Sequence, residues 1–372
     1  MPEPIPILFT IPNFLTAGSG RAMLNIARRL DPERFVPTIC VSQRGGALDA
    51  EVQNLGMPLL ESQFTVPARP RTTVLGSTWR AASTFRAHGF RLWHSFHYLD
   101  DYTEPLVARM AGARWIFTKK NMNWNRRSWL LRSALASRVV AQNQSMMRDF
   151  FSGPLLRSRV RLIPRGVDTA VFSPNVTSIP RIRSRLSIPD NVVVAVCVAH
   201  LLPVKGHLTL LRALQQVDRL QVIVAGAPLD PEHADNLRQT ARDLEVVDRV
   251  HFVGEMSDVP GLLAEADIFV LPTWNRWRVE GCPVALLEGM AAGKACVATR
   301  VAGSMDLIED GVSGMLVKPE NTDELASALQ LLVDSPELRI KLGSRARQRA
   351  VDRYSIEREV EAHERLYLEL VP

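Results

Sequence analysis

The stretch EGCPVALLEGMAAGKACVAT at residues 280–299 decides the fold of this 372-residue chain. It follows the apolar run IFVLP at 268–272, crosses a loop, and enters a helical pattern near Pro283, a residue suited to the first turn of a helix. It ends on a second apolar run, ACVA at 295–298. This succession of strand, helix and strand predicts one unit of a parallel sheet with a covering helix.

Similar apolar runs alternate with helical patterns along the whole chain. Most are continuous rather than alternating, which is typical of parallel strands covered on both faces. In the first half the predicted strands are Ile7–Ile11, Val36–Val41, Arg91–His94, Trp115–Thr118 and Val139–Gln142. In the second half they are Val192–Ala199, Leu220–Ala225, Val250–Val253, Ile268–Leu271, Ala295–Ala298 and Met315–Val317. The pattern predicts an α/β protein with two doubly wound, Rossmann-like domains.

The composition is that of a folded protein with two unlike halves. Hydrophobic residues make up 46%, charged residues 23%, and mean hydropathy is -0.01, which excludes a disordered polyelectrolyte, a collagen-like repeat and a multi-span membrane protein. Residues 1–178 hold 23 basic and 11 acidic residues, a net +12, whereas the remaining 22 basic and 28 acidic residues give −6. The stretch FSPNVTSIP at 172–180 separates the halves and is predicted to be an interdomain linker.

The cysteines and the first residues of the chain indicate the cellular compartment. Cys40, Cys197, Cys282 and Cys296 form no C-x-x-C pair, which indicates buried free thiols in a reducing cytoplasm. The stretch MPEPIPILFT lacks the features of a secretory signal, and no run of 18 apolar residues occurs. We therefore expect a cytoplasmic protein.

Two carboxylates and a helix start give the 280–288 segment its chemistry. Backbone N–H groups around Gly281, Cys282 and Val284 can face an anion at the positive end of the helix. The carboxylate of Glu280 beside them would repel phosphate and would instead accept hydrogen bonds from hydroxyl groups. The N–H groups and the carboxylate together therefore predict a phosphate-bearing, polyhydroxylated ligand such as a nucleotide sugar. The alternative is that Glu280 is a solvated loop residue and Glu288 caps or pairs on its helix.

The same stretch resembles the donor-site signature of the family-4 retaining glycosyltransferases, which have the two-domain GT-B fold with a central cleft. Their pattern is E-G-x-P followed by L-E-A-M-A-x-G; here Gly289 replaces an Ala, and Lys294 occupies the usual Pro position. The run VAGSMDLIEDGVSGMLVKP at 301–319 also matches, with Asp306 in place of Glu. The resemblance implies that Glu280 contacts donor sugar hydroxyls and that Glu288 binds the ribose diol.

Further matches extend over essentially the whole chain. VCVAHLLPVKGH at 196–207 resembles the loop whose lysine, here Lys205, binds the donor diphosphate; His200 stands where the family has Arg. IPRGVDTAVFSP at 163–174 resembles the hinge-entry signature, with Arg165 in place of Asn, and the last stretch resembles a helix that returns to the first domain. The implied domains are 1–174, with 356–372 packing back on it, and 180–355.

Two segments of the first half resemble the family's reaction centre. In PNFLTAGSGRAMLNIARRL at 12–30, Gly18 and Ser19 stand where the family brings backbone near the donor phosphate, although an ordinary turn between a strand and a helix explains them equally well. In RLWHSFHYLDDY at 91–102, the family often has a histidine that meets the donor sugar. We favour His97, with His94 packed at the strand end, although the register leaves both open.

The resemblance implies no metal and no other cofactor. Asp100 and Asp101 are adjacent, and the Asp-x-Asp spacing of metal-dependent transferases does not occur in the sequence. Lysine and helix dipoles would neutralise the diphosphate instead. The candidate catalytic residues are His97, Lys205 and Glu280. The candidate donor-binding residues are Gly18, Ser19, His200, Lys205, Glu280, Gly281, Cys282, Pro283, Val284 and Glu288.

Two tryptophan-rich and basic segments suggest contacts outside the donor site. AGARWIFTKKNMNWNRRSWLLRSALASR at 111–138 is basic, aromatic and amphipathic, which suits an anionic membrane or an anionic lipid-linked acceptor; a solvated helix face with core tryptophans is the alternative. No nucleic-acid-binding motif accompanies the charge. TWNRWRV at 273–279 lengthens the loop before Glu280 and lines the pocket or packs on the surface.

The sequence therefore predicts a retaining, metal-independent transferase of the GT-B fold. It would move a hexose-type sugar from a nucleotide diphosphate to a lipid-linked or polysaccharide acceptor in cell-surface glycan synthesis, in the cytoplasm and peripherally on the inner face of the membrane. The alternatives are a nucleotide-sugar epimerase of the same fold and a degenerate, non-catalytic sugar-nucleotide-binding protein.

Overall fold

The computed structural model describes residues 3–15, 17–46, 48–99, 101–124, 126–175, 182–276 and 281–371, the side chains of residues 17 and 126 excepted. The chain divides into two compact units. Unit 1 comprises Met1–Pro164 and Ile356–Pro372, and unit 2 comprises Arg165–Ser355. Each unit has its own parallel sheet and its own hydrophobic core.

Unit 1 is built on a seven-stranded parallel sheet with the strand order β3-β2-β1-β4-β5-β6-β7 among the described residues. The strands are β1 Ile5–Ile11, β2 Phe35–Val41, β3 Leu59–Glu61, β4 Leu92–Ser95, β5 Arg114–Lys119, β6 Arg138–Ala141 and β7 Val160–Leu162. The helices are α1 Ala17–Ala27, α2 Asp49–Asn54, α3 Arg71–Arg86, α4 Thr103–Met110, α5 Arg126–Leu135, α6 Gln144–Phe150 and α7 Pro154–Arg157. The order reverses between β1 and β4, which is where doubly wound sheets bind ligands.

Unit 2 has a six-stranded parallel sheet with the strand order β10-β9-β8-β11-β12-β13 in the described part of the chain. Its strands are β8 Val193–Val198, β9 Leu220–Ala225, β10 Val250–Gly254, β11 Ile268–Leu271, β12 Ala295–Thr299 and β13 Met315–Val317. Its helices are α8 Ile182–Arg185, α9 His207–Gln215, α10 Pro231–Asp243, α11 Val259–Ala264, α12 Val284–Ala291, α13 Ala302–Leu307, α14 Thr322–Asp334 and α15 Pro336–Tyr354. Here the switch point lies between β8 and β11.

The last helix, α16 at Ile356–Leu370, belongs to unit 1. Its Tyr367 is fully buried, with the ring edge-on to Phe9 and Phe35. The Tyr367 hydroxyl lies 2.7 Å from Nδ1 of His94 on β4. Because these contacts reach the centre of the sheet, α16 is part of the core of unit 1.

The boundary between the units lies earlier than the sequence suggests, after Pro164 rather than in the 172–180 stretch. Residues 165–174 are fixed to unit 2: the Val167 N–H donates to the Tyr354 carbonyl at 2.8 Å, and Arg347 donates to the Phe172 carbonyl at 2.7 Å. A composition rich in Pro, Ser and Asn does not reveal these backbone bonds. Residues 176–180 of that stretch lie outside the described residues.

All eleven strands predicted from the sequence are present, each within two residues of its predicted ends. The continuous apolar runs predict them well because parallel strands are buried on both faces. Strands β3 and β7 were not predicted, since each has three residues of which at most one is buried, whereas the equally short β13 has two buried residues.

Candidate functional site

In unit 2, the loop after β8 carries Lys205 and is held by direct backbone contact. Gly206 has φ of 74°, and a Cβ at this position would lie 1.9 Å from the Pro272 carbonyl oxygen, just after β11. The Trp274 N–H donates to the Val204 carbonyl at 2.8 Å. Only glycine allows both this backbone conformation and this approach, so the carboxyl ends of β8 and β11 are joined at a fixed distance.

A second glycine holds the other end of the same loop. The Ala199 N–H donates to the Ala225 carbonyl at 2.9 Å, and a Cβ on Gly226 would lie 2.0 Å from the Ala199 carbonyl oxygen. Gly226 is not among the site residues predicted from the sequence. The structure gives it a physical role, because the β9 turn could not approach β8 with a side chain there.

The predicted donor-binding residues of this loop have different environments. Lys205 is 9% exposed, whereas His200 is exposed. Burial raises the pKa of the Cys197 thiol to about 12, although the nearby Lys205 ammonium favours the thiolate. Burial, with the charges of His233 and Lys205, lowers the pKa of His207 to about 3. His207 is therefore neutral at pH 7.

The predicted helix start in unit 2 is present. Helix α12 begins at Val284 directly after Pro283, and Gly281, Cys282 and Pro283 are buried. Glu288 lies in the second turn and is half-buried. Glu280, the predicted sugar-binding carboxylate, lies outside the described residues, as do Trp277 and Arg278 of the 273–279 segment.

One departure from the family pattern has a packing explanation. A Cβ on Gly289 of α12 would lie 2.5 Å from Cγ of Phe269 on β11. The family's alanine would therefore collide with this ring unless the helix moved away from the sheet. Gly289 and Phe269 are best understood as a matched pair in the core of unit 2.

The described part of the 273–279 loop packs on unit 2. The Trp274 indole N–H donates to Thr209 Oγ1 on α9 at 2.9 Å, and the Arg276 guanidinium lies 4.5 Å from the Trp274 ring centre. Arg276 also forms an ion pair with Glu320. These contacts anchor the first half of the loop to the surface of unit 2.

In unit 1, Gly18 and Ser19 lie in the first turn of α1. Gly18 is exposed, and a Cβ there would meet no atom within 4 Å. Ser19 is 5% exposed, and its hydroxyl has no hydrogen-bond partner among the described residues. A buried hydroxyl next to open backbone at a helix start is an arrangement that an anionic ligand can complete.

His97 follows β4 and belongs to a buried cluster around the Glu104 carboxylate. Glu104 is fully buried at the start of α4 and accepts five hydrogen bonds at 2.5–3.1 Å. The donors are Thr10 and Trp93 to Oε1, and Ser95, His97 and Arg132 to Oε2. Burial would raise the pKa of Glu104, but the interactions with His97, Arg132 and Thr10 outweigh it and lower the pKa well below its ordinary value.

Both ring nitrogens of His97 are engaged within unit 1. The Leu99 N–H donates to Nδ1 at 3.2 Å, so the proton of the neutral ring is on Nε2 and is donated to Glu104 at 2.8 Å. Burial lowers the pKa of His97, which favours this neutral form. A direct hydrogen bond from His97 to a sugar would require one of these two bonds to be exchanged.

His94 is a packed strand-end histidine, as expected. It is fully buried, with Nδ1 at 2.7 Å from the Tyr367 hydroxyl and Nε2 at 2.8 Å from Thr118 Oγ1. Burial lowers its pKa well below the ordinary value.

The basic and aromatic 111–138 segment has buried and exposed parts: Arg114, Arg127, Leu130 and Leu131 are exposed, whereas Trp115, Lys119, Trp129 and Arg132 are buried and do not form the membrane-facing surface that was one interpretation of the sequence. Trp115, Lys119 and Arg132 have no exposed area, and Trp129 is 5% exposed. The Arg132 guanidinium lies 4.6 Å from the Trp115 ring centre and pairs with Glu104. Three cations of the segment, Lys119, Lys120 and Arg132, are buried in unit 1, and the sequence pattern cannot distinguish them from an exposed basic face.

Glu104 and Arg132 were not among the predicted site residues. The only local signal is the spacing of Asp101 and Glu104: Asp101 Oδ1 accepts from the N–H groups of Thr103 and Glu104, at 2.8 and 3.0 Å, as in a helix cap. Within the described ranges, no group of three or more His, Cys, Asp or Glu side chains is placed to hold a metal ion. None of the helices in those ranges combines the length and hydropathy that crossing a bilayer requires.

Two parallel-sheet α/β domains, the second with a lysine loop and a helix start at the carboxyl ends of its strands, are the arrangement of a GT-B glycosyltransferase. The family model for glycosyl transferases group 1 matches residues 178–349, and the model for glycosyltransferase family 4 matches residues 16–171. The chain belongs to the family-4 glycosyltransferases.

Known proteins agree with this assignment. The chain is 31% identical to the GDP-mannose-dependent alpha-(1-6)-phosphatidylinositol monomannoside mannosyltransferase of Mycolicibacterium smegmatis, over 67% of this chain and 68% of that protein. Its fold is similar to a crystal structure of a glycosyltransferase from Rickettsia africae, with TM-score 0.88, 19% identity and coverage of 100% and 99% of the two chains. It is also similar to Anabaena HepE in complex with UDP and glucose, with TM-score 0.82, 20% identity and coverage of 98% and 100%.

Proposed function

We propose that this glycosyltransferase is retaining and metal-independent, and that it transfers a hexose-type sugar from a nucleotide diphosphate to a hydroxyl group of a lipid-linked or polysaccharide acceptor. The observation that carries the proposal is the Lys205 loop, which Gly206 fixes against the end of β11 in the unit matched by the group 1 model. A fixed cation at the carboxyl ends of parallel strands is suited to a diphosphate leaving group.

In the proposed reaction the bond between the sugar C1 and the β-phosphate oxygen breaks, and the acceptor oxygen bonds to C1 on the same face. The departing phosphate takes the proton of the acceptor hydroxyl. Lys205 and the N–H groups at the start of α12 would stabilise the phosphate, with His200 as a further hydrogen-bond donor to it. Glu280 would hold the sugar hydroxyls, and Glu288 the ribose diol.

His97 would act on the sugar through position rather than charge. Its Nε2–H is donated to Glu104, so the cluster holds the loop after β4 in one conformation. Gly18 and Ser19 would supply open backbone and a buried hydroxyl near the donor phosphate.

The donor and acceptor classes rest on the relatives. The mycobacterial relative is named for GDP-mannose and a phosphatidylinositol mannoside, whereas the Anabaena structure holds UDP and glucose. These names support a nucleotide sugar and a lipid-borne acceptor for this chain, with the base to be determined. We propose that the protein acts in the cytoplasm, at the inner face of the membrane that carries the acceptor, in cell-surface glycan synthesis.

A donor screen tests the proposal. UDP-, GDP- and ADP-sugars are added in turn, and one of them should raise the unfolding temperature, because a ligand that binds only the folded state stabilises it. With that donor, slow hydrolysis or transfer should persist in excess EDTA and yield the retained anomer. Glu280→Ala should abolish it without unfolding the chain. Inversion, or activity that disappears with EDTA, would contradict the proposal.

A second function has its own support, because both ring nitrogens of His97 are engaged inside the protein. In that case the chain binds a nucleotide sugar without transferring it. Stabilisation by a donor together with neither hydrolysis nor transfer would favour this function. Conversion of a donor to its epimer without an acceptor would instead indicate an epimerase.

A further inference from the structure

Trp274, just after β11, contacts the chain on both sides of Lys205. Its backbone N–H donates to the Val204 carbonyl at 2.8 Å, and a Cβ on Gly206 would lie 3.1 Å from Cδ1 of its ring. Its indole N–H donates to Thr209 Oγ1 at 2.9 Å, in the first turn of α9. One residue therefore joins the residue before Lys205, the residue after it and the helix that follows.

Arg276 stacks on the Trp274 ring and is itself held by Glu320. The guanidinium carbon lies 4.5 Å from the ring centre. Arg276 Nε donates to Glu320 Oε1 at 3.0 Å, and Nη2 donates to Oε2, so two hydrogen bonds join the ion pair. Because Glu320 follows β13, the pair ties the segment after β11 to the segment after β13.

Glu320 has a backbone conformation that residues other than glycine rarely adopt. Its φ is 62°, in the left-handed region, where a Cβ is unfavourable. Strain of this kind persists where the surrounding contacts impose it. Glycine would relieve the backbone here but would remove the carboxylate, and the ion pair with Arg276 is what that carboxylate supplies.

We propose that Trp274 is a positioning residue, which holds the lysine loop so that Lys205 meets the donor diphosphate, and that the ion pair of Arg276 with Glu320 holds Trp274. We call these three side chains the tryptophan clamp. The inference rests on the proposed function for the role of Lys205, but not for the hold on its loop.

The clamp and the glycine contact constrain opposite motions of the loop. The close approach of Gly206 to the Pro272 carbonyl prevents the loop from moving nearer to the end of β11. The attractive contacts of Trp274 prevent it from moving away. Both constraints are needed to keep Lys205 at one distance from its ligand, since a displacement of about 1 Å can lower a reaction rate about 100-fold.

Hydrogen exchange of the full chain without any ligand tests the hold on the loop. Trp274→Ala should speed exchange about tenfold in the peptide that covers residues 199–210, and should leave β9 protected as in the wild type. Trp79→Ala is the control, at a ring of unit 1 that is 59% exposed, and should leave this peptide unchanged. Unchanged exchange in Trp274→Ala would overturn the inference. Faster exchange throughout unit 2 would also overturn it, because the tryptophan would then stabilise the whole domain.

Two milder variants test the same contact without emptying the site of the ring. Trp274→Phe and Thr209→Val each remove the hydrogen bond between the indole and the threonine and keep an apolar side chain. Each should speed exchange of the loop peptide about threefold, and the two together should do no more than either alone. Additive effects would show that the two side chains do not act through this bond, and would overturn the inference.

A kinetic cycle tests whether the hold on the loop reaches Lys205. The donor is whichever of UDP-glucose, GDP-mannose or ADP-glucose stabilises the wild type. Trp274→Ala should lower kcat about 100-fold. In a Lys205→Ala background the same substitution should cost less than about threefold, because no ammonium is left to misplace. Equal losses in the two backgrounds would mean that Trp274 does not act through Lys205.

The ion pair has a matched control in the same unit. Arg219 also has a left-handed backbone, with φ of 54°, and pairs with Asp334 on the surface at the amino end of β9. Glu320→Gly and Arg219→Gly should therefore change the unfolding temperature alike, but only Glu320→Gly should lower transfer, about threefold. Exchanging the charges, Arg276→Glu with Glu320→Arg, should restore most of the loss. A loss of transfer in both glycine variants, or in neither, would overturn the role of the ion pair.

Hydrogen exchange involves no sugar, so the two proposals fail separately. A loop that loosens in Trp274→Ala, in a chain that no nucleotide sugar stabilises, supports the clamp and contradicts the proposed function. A chain that transfers sugar, and whose Trp274→Ala variant is as active as the wild type, contradicts the inference alone.

Discussion

The loop after β4 in unit 1 and the loop after β8 in unit 2 each follow a strand at the switch point of its sheet, but they are held by different forces. In unit 1 the buried carboxylate of Glu104 gathers donors from β1, β4 and α5 and from the loop itself. In unit 2 the backbone is held by close approach at Gly206 and Gly226. The first loop is fixed by charge and the second by shape.

The difference has consequences for what each loop can do. A buried ion pair is stable only while both charges and all their hydrogen bonds are present, so the unit 1 loop is sensitive to substitution and to protons. Steric contact between backbone atoms needs no charge. The contacts at Gly206 and Gly226 therefore fix the loop that carries Lys205, the residue proposed to neutralise a ligand.

The largest effect is expected when the charge of the unit 1 cluster is removed. Glu104→Gln leaves Arg132 buried opposite a neutral amide, and we expect a loss of about 3–5 kcal/mol in the free energy of unfolding. Urea denaturation followed by tryptophan fluorescence would measure it, because Trp93 donates to this carboxylate.

Glu369→Gln is the matched control, since Glu369 also pairs with two arginines but on the surface. A loss of at most about 1 kcal/mol is expected there. Equal losses in the two variants would show that burial of the Glu104 cluster has no special role.

In unit 2 the corresponding charge should affect catalysis and not folding. Lys205→Ala is expected to lower the transfer rate about 100- to 1,000-fold, as when one preorganised electrostatic contact to a developing charge is removed. The unfolding temperature should change little. Lys318→Ala, at a side chain that is 72% exposed, serves as the control and should retain activity. Wild-type turnover by the Lys205 variant would remove this residue from the mechanism.

The shape of the unit 2 loop is tested at its glycine. Gly206→Ala combines a left-handed backbone with a collision against the Pro272 carbonyl, and we expect destabilisation on the order of 3 kcal/mol. Gly254→Ala has the same φ of 74° but no atom within 4 Å of the added Cβ, so about 1 kcal/mol is expected from the backbone alone. If calorimetry gave equal values, the contact with Pro272 would not be what fixes the loop.

Most of the fold could be predicted from the sequence, because parallel strands appear as apolar runs and the glycine of the lysine loop lies in a local motif. The unit 1 cluster could not be predicted. Its members are far apart in the chain, and Arg132 pairs with a residue 28 positions away.

Helix α5 shows why the hydrophobic pattern does not predict this cluster. It buries Arg132 together with Trp129 and leaves Leu130 and Leu131 exposed by 42% and 44%, so its buried face is not purely apolar. The buried carboxylate on α4 stabilises the buried arginine. The periodicity of apolar residues does not identify a helix whose buried face contains a charged side chain in an ion pair.

A smaller effect concerns protons at the buried histidines of both units. Burial lowers the pKa of His97 in unit 1, and lowers that of His207 in unit 2 to about 3. Below about pH 6.5 the unfolded chain binds protons that the folded chain does not, so stability falls as the pH falls. From His207 alone the loss at pH 5 should be about 2 kcal/mol.

Denaturation at pH 7.5 and pH 5 measures this loss in wild type and in His207→Leu, which should show a shallower dependence on pH. His88→Gln changes an exposed histidine of unit 1 and should follow the wild-type profile. An unchanged slope in the His207 variant would mean that this residue does not titrate on unfolding.

The smallest effect is expected from substitutions at two glycines of α1, which distinguish contact with a ligand from packing inside unit 1. Replacing Gly18 by Ala adds a methyl group in open space, so the fold should gain about 0.5–1 kcal/mol from helix propensity. If the donor phosphate approaches this backbone, transfer should nevertheless fall about tenfold, because the methyl group occupies that space.

Gly20→Ala is the control. It places its Cβ 2.7 Å from Leu48 Cδ1, and should lower stability without a comparable loss of transfer per folded molecule. Opposite signs for stability and activity at position 18 would identify a ligand-facing turn. Unchanged transfer would instead place the ligand out of reach of Gly18 and leave an ordinary turn between a strand and a helix.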